Sequence, residues 1–361
     1  MILIQVSVVR TESEGEAMDI MEIMADADAV LVAGGDGTLM EAVTGLLRRK
    51  DKETAAKIPI GVLPVGKTNT LAHSLFGEAE NINSVRLMGE AAMSVVRQLR
   101  KPLSVIEVEN RGEDEVRRGK KIYCVNNLEL GAWKDARLRS DKYWLFGFGL
   151  KHYVTYLGSF LTGYKEVLWD CDINLQYVAP GNTDVIVEDI EVNTSVQDQS
   201  HGWLSWLSKK NEETVKTGTT FSDVKEWKNY GKFNGTQITI EKDPQDLKAF
   251  LYKPSVDLFE FVSHGFNFVK KSPSSIEKEV IESPQFYISP ITDLGEEEAR
   301  KLCMDGDEIP LAGPVLVSLL KDQISVFCTQ DQAVVESQPV VQASPKRWSS
   351  IGSSLVKQRT F

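Results

Sequence analysis

Histidine and cysteine are the scarce reactive residues of this 361-residue chain, four of each. The histidines (His73, His152, His201, His264) are scattered, which leaves histidine-based metal chemistry little to work with. The cysteines (Cys124, Cys171, Cys303, Cys328) form no CxxC pair, so neither a zinc site nor a disulfide framework is expected, and buried free thiols are. A cationic excess is missing too. The 41 Lys and Arg stand against 52 Asp and Glu, a net charge of −11, which argues against a nucleic-acid partner. No apolar run approaches the roughly 18 residues of a membrane span, and no signal peptide is visible. The apolar opening Met1-Ile2-Leu3-Ile4-Gln5-Val6 reads as a strand instead, and a chain that opens in a core strand is expected to lack a preceding segment.

What is present is enough apolar residue, 42% of the chain, to bury the cores of two domains. Residues 1–101 alternate strand and helix. Thr11-Glu12-Ser13-Glu14 reads as a capping box, and Ala17, Ile20, Met21 and Met24 follow on one helical face. A buried strand at 29–33 leads through a glycine turn into a helix carrying Leu39, Val43, Leu46 and Leu47. A second strand, 58–63, a short helix around 71–76 and a longer one over 82–99 complete a parallel α/β unit with its ligands at the carboxyl ends of its strands. From Pro102 short strands separated by turns, Val315–Leu320 and Ile324–Cys328 the last two of them, predict an antiparallel β-sandwich over 102–329. It is interrupted by a polar, flexible insertion at about 180–232 and followed by a loose tail at 330–361. The expected class is α/β.

The motif with most chemical content is Gly34-Gly35-Asp36-Gly37-Thr38, between a buried strand and an amphipathic helix. Free backbone N–H groups at such a turn suit a phosphate, and an acid in their midst must hold a metal or take a proton. The bland alternative is a plain Asp-Gly turn. Gly61 to Thr68 also satisfies GxxxxGK[ST], but Gly61 falls inside the predicted strand, whereas a P-loop follows its strand. The better parse is PxGxxN, Pro64 to Asn69, with Asn69 and Thr70 opening a helix. His201–Lys210 sets Trp203 and Trp206 before a lysine pair. That is an interfacial anchor or simply a tuck against the sandwich.

Three blocks, AGGDGTLMEAVTGLLRR at 33–49, KIPIGVLPVGKTNTLAHSLFG at 57–77 and GAWKDARLRSDKYWLFG at 131–147, together resemble the diacylglycerol kinase catalytic superfamily, in particular its mitochondrial branch. The resemblance runs over about residues 1–330 and weakens in the insertion. It implies ATP and Mg²⁺ as cofactors, a membrane surface as partner, and transfer of phosphate to monoacylglycerol and diacylglycerol, giving lysophosphatidic and phosphatidic acid. Asp36 would lie at the reaction centre as base for the lipid hydroxyl. Gly34, Gly35, Gly37, Thr38 and Gly66 would line the nucleotide, with Glu41 and Thr11 beside it. The family's late DGE element is represented by Asp305-Gly306-Asp307, with Glu308 next, so Asp307 and Glu308 compete for the catalytic place and Asp305 and Asp307 for the metal. Read as geometry alone, Asp305-Gly306 is a hairpin turn.

Asp135 and Lys142 match the substrate block. Trp144 stands where sphingosine kinases carry an arginine, a charge that Lys151 would have to supply. Arg137 falls near the acid that recognises a sphingoid amine, which favours a neutral acylglycerol over a sphingoid base and leaves a sphingosine or ceramide kinase as a lesser alternative. On this resemblance the family's first βα unit, with its NPxxGK-like loop, is expected to be missing from this chain, which puts the activity of the chain itself in question. The resemblance also implies residence at the mitochondrial inner membrane or intermembrane space, and a non-catalytic alternative as a subunit of the inner-membrane carrier translocase. NAD kinase chemistry is a lesser alternative. On this reading Asp36→Asn abolishes turnover and leaves folding intact.

Overall fold

The computed structural model describes residues 6–25, 27–77, 85–112, 119–163, 171–179, 227–252, 256–269, 276–291, 300–311 and 313–333. Residues 1–5 of the opening strand read at 1–6, the Trp203–Lys210 segment and most of the insertion and tail lie outside them, and Val6 is exposed and not in a strand. The first lobe runs α1 (Glu16–Ile23), β1 (Val30–Gly34), α2 (Asp36–Arg48), α3 (Lys52–Ala55), β2 (Ile60–Pro64), α4 (Thr70–Phe76) and α5 (Val85–Arg97). Strands β1 and β2 are parallel, with Val30 opposite Ile60 and Gly34 opposite Pro64, so both glycine-bearing loops leave the same sheet end. The apolar face of α2 (Leu39, Val43, Leu46, Leu47) is buried against them. The capping box read at Thr11–Glu14 does not form. The cap of α1 is Gly15 at φ 84°, and the carboxylate of Glu16 turns back to accept the amides of Glu12 (2.5 Å) and Ser13 (3.3 Å).

The second lobe comprises β3 (Arg100–Asn110), β4 (Lys121–Cys124), β5 (Asn127–Gly131), α6 (Ala132–Leu138), a 3₁₀ segment (Arg139–Phe146), α7 (Gly147–Gly163), β6 (Cys171–Val178) and β7 (Trp227–Gly235). It continues with β8 (Gln237–Lys242), β9 (Leu247–Tyr252), α8 (Leu258–Val269), β10 (Lys278–Ser283), β11 (Gln285–Pro290), β12 (Lys301–Met304), β13 (Asp307–Pro310) and β14 (Val315–Phe327). Strand β7 starts at Trp227, inside the range read as insertion. A six-stranded antiparallel sheet, β10-β9-β8-β5-β12-β13, faces an eight-stranded one. Leu175, Phe286, Ile288 and Val317 of the larger sheet share a core with Leu128, Ile238, Ile240 and Leu251 of the smaller. All four cysteines are free and buried. Among the described residues no helix is long and apolar enough to cross a membrane.

The two lobes are less separate than the sequence suggests. Val315–Leu320 and Ile324–Cys328, read as two sandwich strands, are one strand interrupted by a bulge at which Asp322 adopts φ 49°. β3 follows β14 along one edge from Asn110 to Arg100. On the other edge the first part of β14 pairs with β11 and its end joins β2 in parallel, Val326 opposite Ile60. One sheet therefore runs through both lobes, and a boundary at 101/102 cuts β3. This continuity fixes the glycine loops relative to the sandwich.

The loops themselves interlock. A Cβ on Gly66 would stand 2.2 Å from the Cα of Gly35, and one on Gly35 would stand 2.8 Å from the Thr68 carbonyl oxygen. Only glycine permits that approach of backbone to backbone. Gly61 lies within β2, so the P-loop parse fails as expected. Asn69 is the N-cap of α4, but its side chain folds back onto the backbone of Gly66. The cap comes from the other loop: the Asp36 carboxylate accepts the amides of Thr70 (2.8 Å) and Leu71 (3.2 Å), and the Asp36 amide donates to Thr68 O (2.9 Å). Asp36 is buried. An asparagine there would turn an N–H toward one of those amides, and hydrogen bonds to a charged group contribute about 1.5–3 kcal/mol. Asp36→Asn is thus expected to destabilise the fold by about 2 kcal/mol in urea unfolding, in contrast to the intact folding expected from sequence. An unchanged midpoint would refute the cap.

Candidate active site

The glycine turn is roofed by a hairpin from the far end of the chain. Strands β12 and β13 are joined by Asp305 (φ 51°) and Gly306 (φ 101°), a two-residue turn with both residues left-handed. Such turns favour Asp-Gly because glycine carries no penalty at positive φ. The hairpin reading is therefore borne out by the backbone. The turn delivers Asp307 onto α2: a Cβ on Gly37 would meet its two carboxylate oxygens at 2.7 and 2.8 Å. A Cβ on Gly306 would lie 3.7 Å from Thr68 Oγ1. Asp36, the Pro64–Asn69 loop and Asp305–Asp307 thus meet at one place.

The two hairpin acids have different roles. Asp305 is buried and its carboxylate accepts the amides of Val125 (2.5 Å), Asn126 (2.8 Å) and Asn127 (3.4 Å). Burial pushes its carboxyl up to about 6 against the pull of the Val125 amide, and the neighbouring Asp36 adds to the rise. It anchors the turn. Asp307 is also raised to about 6, by burial and then by the carboxylates of Glu41 and Glu14. Glu41 in turn accepts the Gly15 amide at 2.8 Å, which holds the start of α1 at the same mouth.

This donor set fits both groups that the sequence implies. At the start of α2 the amides of Gly37 and Thr38 precede the first intrahelical bonds and are aimed out of the helix end, where an anion is favoured. The Asn126 side-chain nitrogen is buried without an acceptor, next to the anchor of Asp305, and a phosphate oxygen would supply one. The crowded carboxylates of Asp307, Glu41 and Glu14 are hard oxygen donors whose mutual repulsion a divalent cation offsets. Among the described residues no group of three or more His, Cys, Asp and Glu side chains is arranged to hold a metal ion by itself, so a cation here would need further oxygen ligands such as those of phosphate.

The remaining predicted residues are placed as follows. Thr38 packs over Gly34, whose Cβ would lie 2.7 Å from that of Thr38. Thr11 and Lys142 are exposed. Asp135 and Glu308 are both held by Lys134, a buried lysine that sequence reasoning passed over. Its signal was a charge within an otherwise apolar turn, Gly131-Ala132-Trp133. Arg137 does not confront the substrate with a bare charge, because the buried Glu129 pairs with both arms of its guanidinium. The Arg137–Glu129 pair is locally neutral, so Arg137 does not by itself repel a sphingoid amine.

Residues 2–108 match the family described as the diacylglycerol kinase catalytic domain. The mitochondrial acylglycerol kinase of Xenopus laevis is 38% identical over 177 residues, covering 49% of this chain and 39% of that protein. Its Mus musculus counterpart is 42% identical over 142 residues, covering 39% of this chain and 32% of that protein. The chain thus matches about two fifths or less of the length of these curated relatives. Among solved structures, a candidate diacylglycerol kinase from Bacillus anthracis str. Sterne superposes with a TM-score of 0.50 at 14% identity, over 90% of this chain and 86% of that one, which speaks to the fold alone. Residues 2–108 are thus similar to a diacylglycerol kinase catalytic domain, and part of the chain is similar to the mitochondrial acylglycerol kinases.

Proposed function

We propose that the protein is an ATP-dependent lipid kinase that phosphorylates the hydroxyl of monoacylglycerol and diacylglycerol, at a mitochondrial membrane. The observation that carries this reading is the seating of Asp307 on Gly37, which brings a carboxylate from the end of the sandwich to the phosphate-binding turn of the α/β lobe. The amides of Gly37 and Thr38 would bind phosphate oxygens, and Asp307 with Glu41 would hold Mg²⁺. When bound, MgATP supplies the transferable phosphoryl group and the charge that neutralises its oxygens. Asp36, each oxygen accepting one amide of α4, joins the two loops of the site and keeps lone pairs for the lipid hydroxyl proton. Asp305 anchors the turn through the amides of Val125, Asn126 and Asn127. A translocase subunit role has its support in the sequence resemblance alone.

Replacing Asp307 removes a metal-holding charge, and such charges contribute several kcal/mol to transition-state stabilisation. Asp307→Asn is expected to lower phosphate transfer from ATP to monoacylglycerol about 100-fold or more in a radiolabel assay. Full turnover by the variant would sink the metal role.

The raised carboxyls give a second test. For Asp305 and Asp307 the folded-state value, about 6, exceeds the ordinary 3.8. The folded protein therefore keeps protons that the unfolded chain has already released. The stability this contributes is complete below 3.8 and is lost as pH rises through 6. Mg²⁺ with ADP competes with those protons. Its stabilisation of the melting temperature is expected to be several-fold larger at pH 7.5 than at pH 5, and the difference should vanish in Asp307→Asn. Equal shifts at both pH values would contradict this.

A membrane-facing surface is offered by α7 and its neighbours. Leu150, Tyr153 and Leu161 lie along one side of α7 and are 62%, 48% and 58% exposed, with Leu145 just before them and Phe259 of α8 at 81%. Exposed apolar side chains in such number mark an interaction surface. The described residues thus give the membrane role a candidate independent of Trp203 and Trp206. Leu150→Glu combined with Phe259→Glu is expected to abolish flotation with phosphatidylcholine vesicles containing diacylglycerol. Undiminished flotation would dismiss this face.

A further inference from the structure

Lys134 is the buried charge that the proposed chemistry leaves unexplained. Its side chain is 1% exposed, and its ammonium donates to the Lys301 carbonyl (2.8 Å) and to Glu308 (3.2 Å) while pairing with Asp135. All three N–H donors of the ammonium therefore have acceptors. Asp135 is its neighbour in sequence. Lys301 and Glu308 lie on the two strands of the hairpin that presents Asp307. The base of the tether is equally fixed. The Lys134 amide donates to Gln237 Oε1 at 2.9 Å, and the Ala132 amide donates to Thr236 O at 2.9 Å. A Cβ on Gly131 would stand 2.4 Å from that same carbonyl oxygen. Helix α6 is thus pressed onto the middle of the smaller sheet.

The hairpin needs such support. β13 is the terminal strand of its sheet, with β12 as its neighbour, and β12 meets β5 through the pairs Cys303–Glu129 and Met304–Leu128. Short edge elements with few ladder bonds open at low free energy. We infer that Lys134 is a positioning residue whose buried ammonium holds the β12–β13 hairpin, and with it Asp307, over the Gly34–Thr38 turn. Glu308 is then part of the tether, and Asp307 alone of the two meets the reacting groups. Because Asp135 shares the same ammonium, α6 links the lipid-side block to the phosphate side. The catalytic part of the inference rests on the kinase reading, whereas the tether does not.

Hydrogen exchange and kinetics on the same full-chain variants separate these. In Lys134→Met the amides of 307–309 are expected to exchange about tenfold faster or more, with β8 and β9 unchanged. In the same variant kcat should fall about tenfold or more, while KM for ATP and for monoacylglycerol stays within about twofold. Lys134→Arg, which keeps the charge, should recover most of kcat. If Lys134→Met does not fold, Glu308→Gln, at a half-exposed position, carries the same test with a smaller expected change. Unchanged hairpin exchange in a folded variant overturns the tether. Faster exchange with unaltered kcat in an active protein overturns the positioning role. A wild-type protein that transfers no phosphate to lipid would sink the kinase reading instead, and the exchange comparison would still decide the tether.

Discussion

The close approach of Gly35 and Gly66 is the contact on which the site depends. Two loops that leave parallel strands side by side would ordinarily diverge. Without Cβ atoms at these positions the backbones come close enough for Asp36 to cap α4 across the gap. The cap then sets the start of α2, because Asp36 is that helix's first residue and its own amide is tied to Thr68. Everything the anion site offers follows from this: the direction of the Gly37 and Thr38 amides, and the bare Gly37 surface on which Asp307 rests. A side chain at either glycine would separate the loops, and the cap would go with them.

A second constraint brings the roof to the floor. β14 is antiparallel sandwich strand at one end and parallel partner of β2 at the other, with β3 running beside it throughout. The bulge at Asp322 absorbs the change of partners, and the Asp322 amide is held by Ser104 Oγ at 3.2 Å. A sheet shared in this way resists hinge motion between the lobes, because bending would break ladder bonds of both. The acids at 305–307 can therefore stand on one lobe and act on the other with a fixed offset.

Much of this was legible in the residues. The GGDGT turn, the strand ahead of it and the PxGxxN loop are local patterns, and each lies where its own sequence places it. The Asp305-Gly306 pair announced its hairpin, since few other dipeptides take two consecutive positive φ angles. What was not legible is non-local. Nothing in Asp36-Gly37-Thr38 says that its carboxylate caps a helix beginning at Thr70, and Asn69 is a better cap by local rules. Lys134 sits in a short helix whose burial depends on a strand more than a hundred residues later. Arg137 looked like a free charge because its partner Glu129 lies in the preceding strand, and pairing across elements leaves no periodic trace. The bulged β14 read as two strands because Lys321-Asp322 breaks the apolar alternation, as a surface turn would.

The electrostatics of the site oppose its own assembly. Asp36 raises Asp305, and Glu41 with Glu14 raises Asp307, so three segments of the chain bring like charges into a partly desolvated space. Such an arrangement is unfavourable to folding by itself and is held by backbone amides: three on Asp305, two on Asp36 and one on Glu41. Those amides neutralise the acids that act as struts. Asp307 is the member of the group for which burial and like charge act with no opposing amide among the causes of its shift. It is also the one set over the open end of α2. An uncompensated carboxylate beside outward-pointing amides asks for a cation and an anion at the same point, and a metal–phosphate pair meets both demands together.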